Sequence, residues 1–187
     1  MPEIFVGPKF RTIFASRETP HDDRLDEFIS WTRRLTKMGV IAKAMGNLSF
    51  RTASGFIITP SGTDPATITA GQFVEVTSVD MERREITVNG PADPSSESMI
   101  HAAIYRNRAD VNAIFHGHNN DFVATAETRG IPVTAREQSY GTPQLVAEVV
   151  GILGNHFFVV MRNHGFIAMG RTIGEAGAQI EKIFPAA

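Results

Sequence analysis

The sequence contains no cysteine and only one tryptophan in 187 residues. Without thiols there can be no disulfide, no thiolate nucleophile and no cysteine-ligated zinc. Long hydrophobic runs are also missing. The longest, such as "HFFVVM", falls far short of the roughly 20 apolar residues that a membrane span needs. The first residues, "MPEIFVGPKF", lack a basic segment followed by an apolar core, so no signal peptide is expected. Neither sign of charge dominates: 18 Lys and Arg against 20 Asp and Glu leave a net charge of −2. That disfavours general binding to nucleic acid or to an anionic membrane, both of which need a concentrated positive field. A small anionic substrate needs only a local pocket and is not excluded.

What is present is ordinary globular composition, 42% hydrophobic and 20% charged. The length suits one domain with a sizeable core and is too short for two. The reading is an N-terminal arm over 1–20 and a single domain over 21–187. The cysteine-free composition suits the cytoplasm.

Periodicity places the elements. "TPHDDRLDEFISWTRRLTKMG" has apolar residues at helical spacing, with Gly39 suited to close the helix. "LSFRTASGFIITPSG" reads as two short strands joined by a Ser-Gly turn, followed by "FVEVTSVD" and "REITVNG" as further strands. "PADPSSESMIHAAIYRNR" is a loop running into a helix, and "VNAIFHGH" is a buried strand. Helices are expected at "NDFVATAETRG", "TPQLVAEVVGILG" and "TIGEAGAQIEKIF", with a strand pair in "FFVVMRNHGFIAMG". Interleaved strands and helices imply an α/β or α+β class in which helices cover one sheet.

The chemistry-bearing residues stand out against this pattern. Side chains alternate along a strand, so His116 and His118 share a face, roughly 6–7 Å apart. Gly117 between them leaves the opposite face open to close approach by another element. A pair of imidazoles on one face favours a metal over two satisfied core histidines, and His164 in "RNHG" offers a third ligand. The serines before Glu97 fit a helix N-terminus, where hydroxyls cap exposed N–H groups and an acid complements the dipole. The same arrangement can hold an anion. Gly46-Asn47 and Ser61-Gly62 read locally as turns. His101, one helical turn after Glu97, is the rival metal ligand, with a packing or supporting role favoured.

Taken together, the motifs resemble the class II aldolase/adducin family: "GNLSFR" at 46–51, "ITPSG" at 58–62, "PSSE" at 94–97 with "IHAAIY" following, "HGH" at 116–118 and "NHG" at 163–165. The resemblance implies a three-layer α/β/α fold whose central, largely antiparallel sheet is flanked by helices. It implies a Zn²⁺, or another divalent ion, on His116, His118 and His164, with Glu97 moving a proton and able to approach the metal. It assigns the substrate phosphate to Gly46, Asn47, Ser61, Gly62, Ser95 and Ser96. The reaction implied is cleavage of a phosphorylated ketose to dihydroxyacetone phosphate and a small aldehyde through a zinc-stabilised enediolate. A homo-oligomer, commonly a tetramer, is implied as well.

The sequence departs from the fuller members between His118 and His164. "IPVTAREQSYGTPQLV" is short against their connection, and Tyr140 is the residue best matched to their aromatic position at the aldehyde end. Decarboxylation, dehydration or epimerisation on the same metal site is therefore the alternative. A non-catalytic adducin-like domain is the least favoured, because such a domain has no need for the histidines and Glu97.

Overall fold

The computed structural model describes residues 7–42 and 45–184. The start of the N-terminal arm and the signal-peptide reading fall on residues 1–6, outside the described residues.

Eight strands and five α-helices are described: β1 (Arg11–Ser16), α1 (Leu25–Lys37), β2 (Asn47–Arg51), β3 (Phe56–Ile58), β4 (Val74–Asp80), β5 (Glu85–Asn89), α2 (Ser98–Asn107), β6 (Ala113–Gly117), α3 (Asn120–Thr125), α4 (Pro143–Leu153), β7 (Phe158–Met161), β8 (Gly165–Gly170) and α5 (Ile173–Ile183). The strands form one sheet in the order β1-β5-β4-β3-β2-β6-β8-β7. Every neighbouring pair is antiparallel except β1 with β5. The stretch 11–16 is thus the outermost strand of this sheet.

The helices begin where the sequence offers caps. Thr142 accepts from the Leu145 N–H ahead of Pro143, and Thr172 accepts from the Glu175 N–H. In α1 the acids Asp26 and Glu27 lie in the first turn and Arg34 and Lys37 in the last, as the helix dipole favours. Its buried residues Leu25, Phe28 and Leu35 pack with Leu48, Phe50, Phe115 and the α5 residues Ile173 and Ile180 in one core. On the other face of the sheet, Met99, Ile100 and Ile104 of α2 and Leu145 and Val149 of α4 pack on Ile58, Val76, Ile114 and Ile167. Three layers result, with the sheet in the middle.

β2 shows why position matters here. Its alternation sends Leu48 and Phe50 into the first core. Asn47, Ser49 and Arg51, on the opposite face, all bond to residues of the α2 region. Asn47 also lies directly across from His116 in the β2–β6 ladder.

Candidate metal centre

β6 is an interior strand of the sheet, between β2 and β8. Its last residues deliver His116 inside the strand and His118 just beyond it, where the His118 N–H leaves the ladder for the Val40 carbonyl at 2.7 Å. The turn from β7 to β8 carries His164, preceded by Asn163 in a left-handed conformation with φ 55°. The three imidazoles meet with ring centroids 4.5 Å apart for 116 and 118, and 5.2 Å for each pair with 164. Two glycines allow it. A Cβ on Gly117 would lie 2.6 Å from the Phe166 ring, which is the close approach expected there. A Cβ on Gly165 would lie 2.7 Å from His116 Cε1 and 2.5 Å from the Gly117 carbonyl.

The donor set suits a cation. His116 Nδ1 lies 2.8 Å from the Phe166 carbonyl, and His118 Nδ1 lies 2.9 Å from the His164 carbonyl. A carbonyl can only accept, so each Nδ1 carries a proton and each Nε2 is the atom left to face a ligand. One ligand atom from each of the three histidines lies within 4.8 Å of the others, so the three could converge on one metal ion. His116 Nε2 is buried and makes no aligned hydrogen bond. Burial, and then the neighbouring His116, lower the His118 pKa to about 3, so it is neutral as a ligand must be.

Glu97 is the fourth group. Its side chain takes no part in capping α2, although it immediately precedes the helix. The buried carboxylate turns to the histidines instead. Oε2 lies 2.9 Å from His116 Nε2 and Oε1 lies 3.1 Å from His164 Nε2, while Asn47 Nδ2 donates to Oε2 at 2.8 Å. Burial pushes its pKa upward, but the two imidazoles outweigh that and hold it well below the usual carboxylate range.

The expected anion-binding segments converge beside this group. An isolated bridge joins Pro60 to Pro94 and brings the "ITPSG" and "PSSE" segments side by side. It uses the Ser61 N–H on the Asp93 carbonyl and the Ser95 N–H on the Thr59 carbonyl. The Gly62 and Ser96 N–H groups have no protein partner among the described residues. Gly46 and Gly62 do sit in left-handed turns (φ 82° and 71°), and they line the same cavity of about 870 Å³ as Asn47, Ser61, Ser95, Ser96, Glu97, His118 and His164. Tyr140 lines it too, with its hydroxyl 3.3 Å from the Gly7 carbonyl and the Lys9 ammonium 3.9 Å over its ring.

Other cavity residues went unread. Asn119 follows "HGH" directly, Asn163 precedes His164, and Glu137 and Gln138 precede Tyr140 by three and two positions. Asn163 Nδ2 donates to Glu137 at 2.8 Å, which ties the β7–β8 turn to the short connection. Adjacency to a motif was the only available signal for these. His101 stands apart from the histidine cluster and bonds Ser49. Arg51 is not among the residues lining the cavity. Its guanidinium donates to the carbonyls of Tyr105, Arg108 and Val111 around the end of α2.

The family described as "Class II Aldolase and Adducin N-terminal domain" matches residues 26–187. The chain is 29% identical over 164 residues to a 5-methylthioribulose-1-phosphate/5-deoxyribulose-1-phosphate aldolase of Rhodospirillum rubrum, covering 79% of this chain and 71% of that one. It is 25% identical over 168 residues to a methylthioribulose-1-phosphate dehydratase of Pseudoalteromonas translucida, covering 73% and 75%. The solved structure of an L-fuculose 1-phosphate aldolase superposes with a TM-score of 0.74 at 25% identity, covering 88% of this chain and 83% of that one.

Proposed function

The chain belongs to the class II aldolase and adducin family, and from that premise we propose that it is a metal-dependent lyase cleaving a phosphorylated ketose to dihydroxyacetone phosphate and a small aldehyde. One observation carries the reading: a buried Glu97 carboxylate faces the Nε2 atoms of His116 and His164 in a cavity lined by residues whose N–H groups have no protein partner among the described residues. A divalent ion held by His116, His118 and His164, with Glu97 within reach, would supply the Lewis acidity that withdraws charge from the substrate oxygens.

The protein's own residues supply the rest. The Gly62 and Ser96 N–H groups, with the hydroxyls of Ser61 and Ser95, receive the phosphate without adding a competing cation. Glu97, deprotonated at the start, takes up the proton that the substrate's C4 hydroxyl loses as the C3–C4 bond breaks, and gives a proton to C3 of the resulting enediolate. Tyr140 and Glu137 also line the cavity and are assigned here to the aldehyde end of the substrate. The cavity wall is partly apolar, through Met45, Val123 and Ala124. This suits ketose 1-phosphates with a deoxy or thioether terminus, the kind named for the Rhodospirillum rubrum relative.

The test is a panel of ketose 1-phosphates offered to zinc-loaded protein, with dihydroxyacetone phosphate measured enzymatically. Release from at least one member, abolished in Glu97→Gln, supports the lyase. The dehydratase relative favours a second reading on the same substrates. A product that keeps every carbon and has lost water selects it and rejects carbon–carbon cleavage.

A further inference from the structure

The residues that match the family begin at 26, yet an earlier segment reaches the cavity wall. Phe10 packs against the core on the α2 and α4 side, and the Arg11 N–H bonds the Arg84 carbonyl at 2.8 Å. From there β1 runs parallel to β5. So anchored, the segment brings Gly7 and Lys9 to Tyr140. The Tyr140 hydroxyl donates to the Gly7 carbonyl at 3.3 Å, and the Lys9 ammonium stands 3.9 Å from the ring centroid. That is well inside the roughly 6 Å over which an aromatic face attracts a cation. The lysine stem also borders the next residue. A Cβ on Gly141 would lie 3.6 and 3.8 Å from Lys9 Cβ and Cδ, and 3.1 Å from the Ser96 carbonyl oxygen.

These contacts matter because of where Tyr140 stands. Residues 135–142 belong to no helix or strand, yet they carry Glu137, Gln138 and Tyr140 to the cavity. No ladder of main-chain bonds sets their position, so side-chain contacts must. On one side Glu137 accepts from Asn163 at 2.8 Å. On the other, Gly7 holds the Tyr140 hydroxyl and Lys9 covers its ring. The bland alternative is an arm that only shields the edge of the sheet. Phe10 and β1 suffice for that, and neither a carbonyl nor a cation on Tyr140 is needed. Tyr140 is itself buried, so a displaced ring changes the shape of the cavity.

We propose that residues 7–10 form a strap that sets the position of Tyr140, with Lys9 as the positioning residue. A segment ahead of the family region thereby tunes which aldehyde end the cavity accepts. The effect on specificity rests on the lyase reading above; the effect on Tyr140 does not.

The experiment compares wild type, Lys9→Met and Lys9→Arg in the zinc-loaded full chain. Methionine keeps most of the stem without the charge, and arginine restores a cation that stacks on an aromatic face. Lys9→Met is expected to lower kcat/KM about tenfold for ketose 1-phosphates with a deoxy or thioether terminus. The loss should fall mainly on KM and be smaller for hydroxylated termini, and Lys9→Arg should restore the wild-type preference. Calorimetric binding of inorganic phosphate should match wild type in both. Crystal structures should show the Tyr140 ring displaced in Lys9→Met and in place in Lys9→Arg. If Lys9→Met does not fold, Tyr140→Phe carries the test: it breaks the Gly7 bond and should shift the preference in the same direction by less. A Tyr140 ring that stays in place in Lys9→Met would overturn the proposal. So would an equal loss on every panel member with weakened phosphate binding, which would make Lys9 an anion ligand instead. If wild type turns over no ketose phosphate, the lyase reading fails alone, and the crystal structures still decide whether Lys9 positions Tyr140.

Discussion

Replacing Gly165 by alanine tests how tightly the histidine cluster depends on backbone approach. The added methyl would lie 2.5 Å from the Gly117 carbonyl oxygen, 2.7 Å from His116 Cε1 and 3.4 Å from His118 Nδ1. Ordinary contact begins near 3.4 Å, so the methyl must gain roughly 0.9 Å on the carbonyl and 0.7 Å on the ring. Two of the three atoms belong to the backbone of β6 or to an imidazole pinned by the Phe166 carbonyl, so neither yields cheaply. Overpacking of this kind costs about 1–3 kcal/mol, which lowers Tm by roughly 2–4 °C per kcal/mol in a chain of this size. The same displacement disturbs the carbonyl bonds that orient His116 and His118, and loss of such support weakens metal binding about 10–100-fold. Zinc titrated calorimetrically into chelator-treated wild type and Gly165→Ala reads the second effect, and thermal melting reads the first. Gly151→Ala is the control. It lies in α4 with nothing within 4 Å of the added carbon, and should raise stability by about 0.5–1 kcal/mol. Wild-type zinc affinity in Gly165→Ala would refute the argument that this glycine is there for the imidazoles.

Two further outcomes follow from groups away from the histidine cluster. Burial lowers the His101 pKa from the ordinary 6.5 to about 3. Between those values the unfolded chain takes up a proton that the folded chain refuses, so stability should fall with pH by up to about 1.4 kcal/mol per unit for this residue. Urea titrations from pH 7 to 4 should give a shallower slope for His101→Gln, and an unchanged slope would show that the imidazole does not stay neutral. Arg51→Met removes the charged donor from the carbonyls of Tyr105, Arg108 and Val111 at 2.9–3.0 Å, and should cost about 2 kcal/mol in denaturant unfolding. A loss below about 0.5 kcal/mol would mean that water replaces the guanidinium.

Periodicity was enough to place the helices and strands, because their apolar residues answer to one core or the other. The Leu25, Phe28 and Leu35 spacing and the buried run Ala113–Gly117 are legible for that reason. The sheet order is not legible, since the placement of β6 between β2 and β8 depends on pairings far apart in the chain. Nor did the sequence reveal that the "ITPSG" and "PSSE" segments are held together by the Pro60–Pro94 bridge. The histidine motif was readable because imidazoles two apart have few structural uses. Glu137 and Asn163 were not, because an exposed acid and an amide in a turn have many.

The face of β2 turned toward α2 gives the strongest reason to regard this end of the sheet as built for chemistry. A strand covered on both faces by helices should read as continuously apolar. Here every second residue, Asn47, Ser49 and Arg51, is polar or charged and needs a specific partner across the interface. Each partner lies in or just before α2 or on its terminal carbonyls, so the three grip the start, the middle and the end of one helix. Apolar residues at these positions would have packed the same interface without directional demands. Sequences that break a local rule tend to do so at functional sites, and the break here ends on the carboxylate facing His116 and His164.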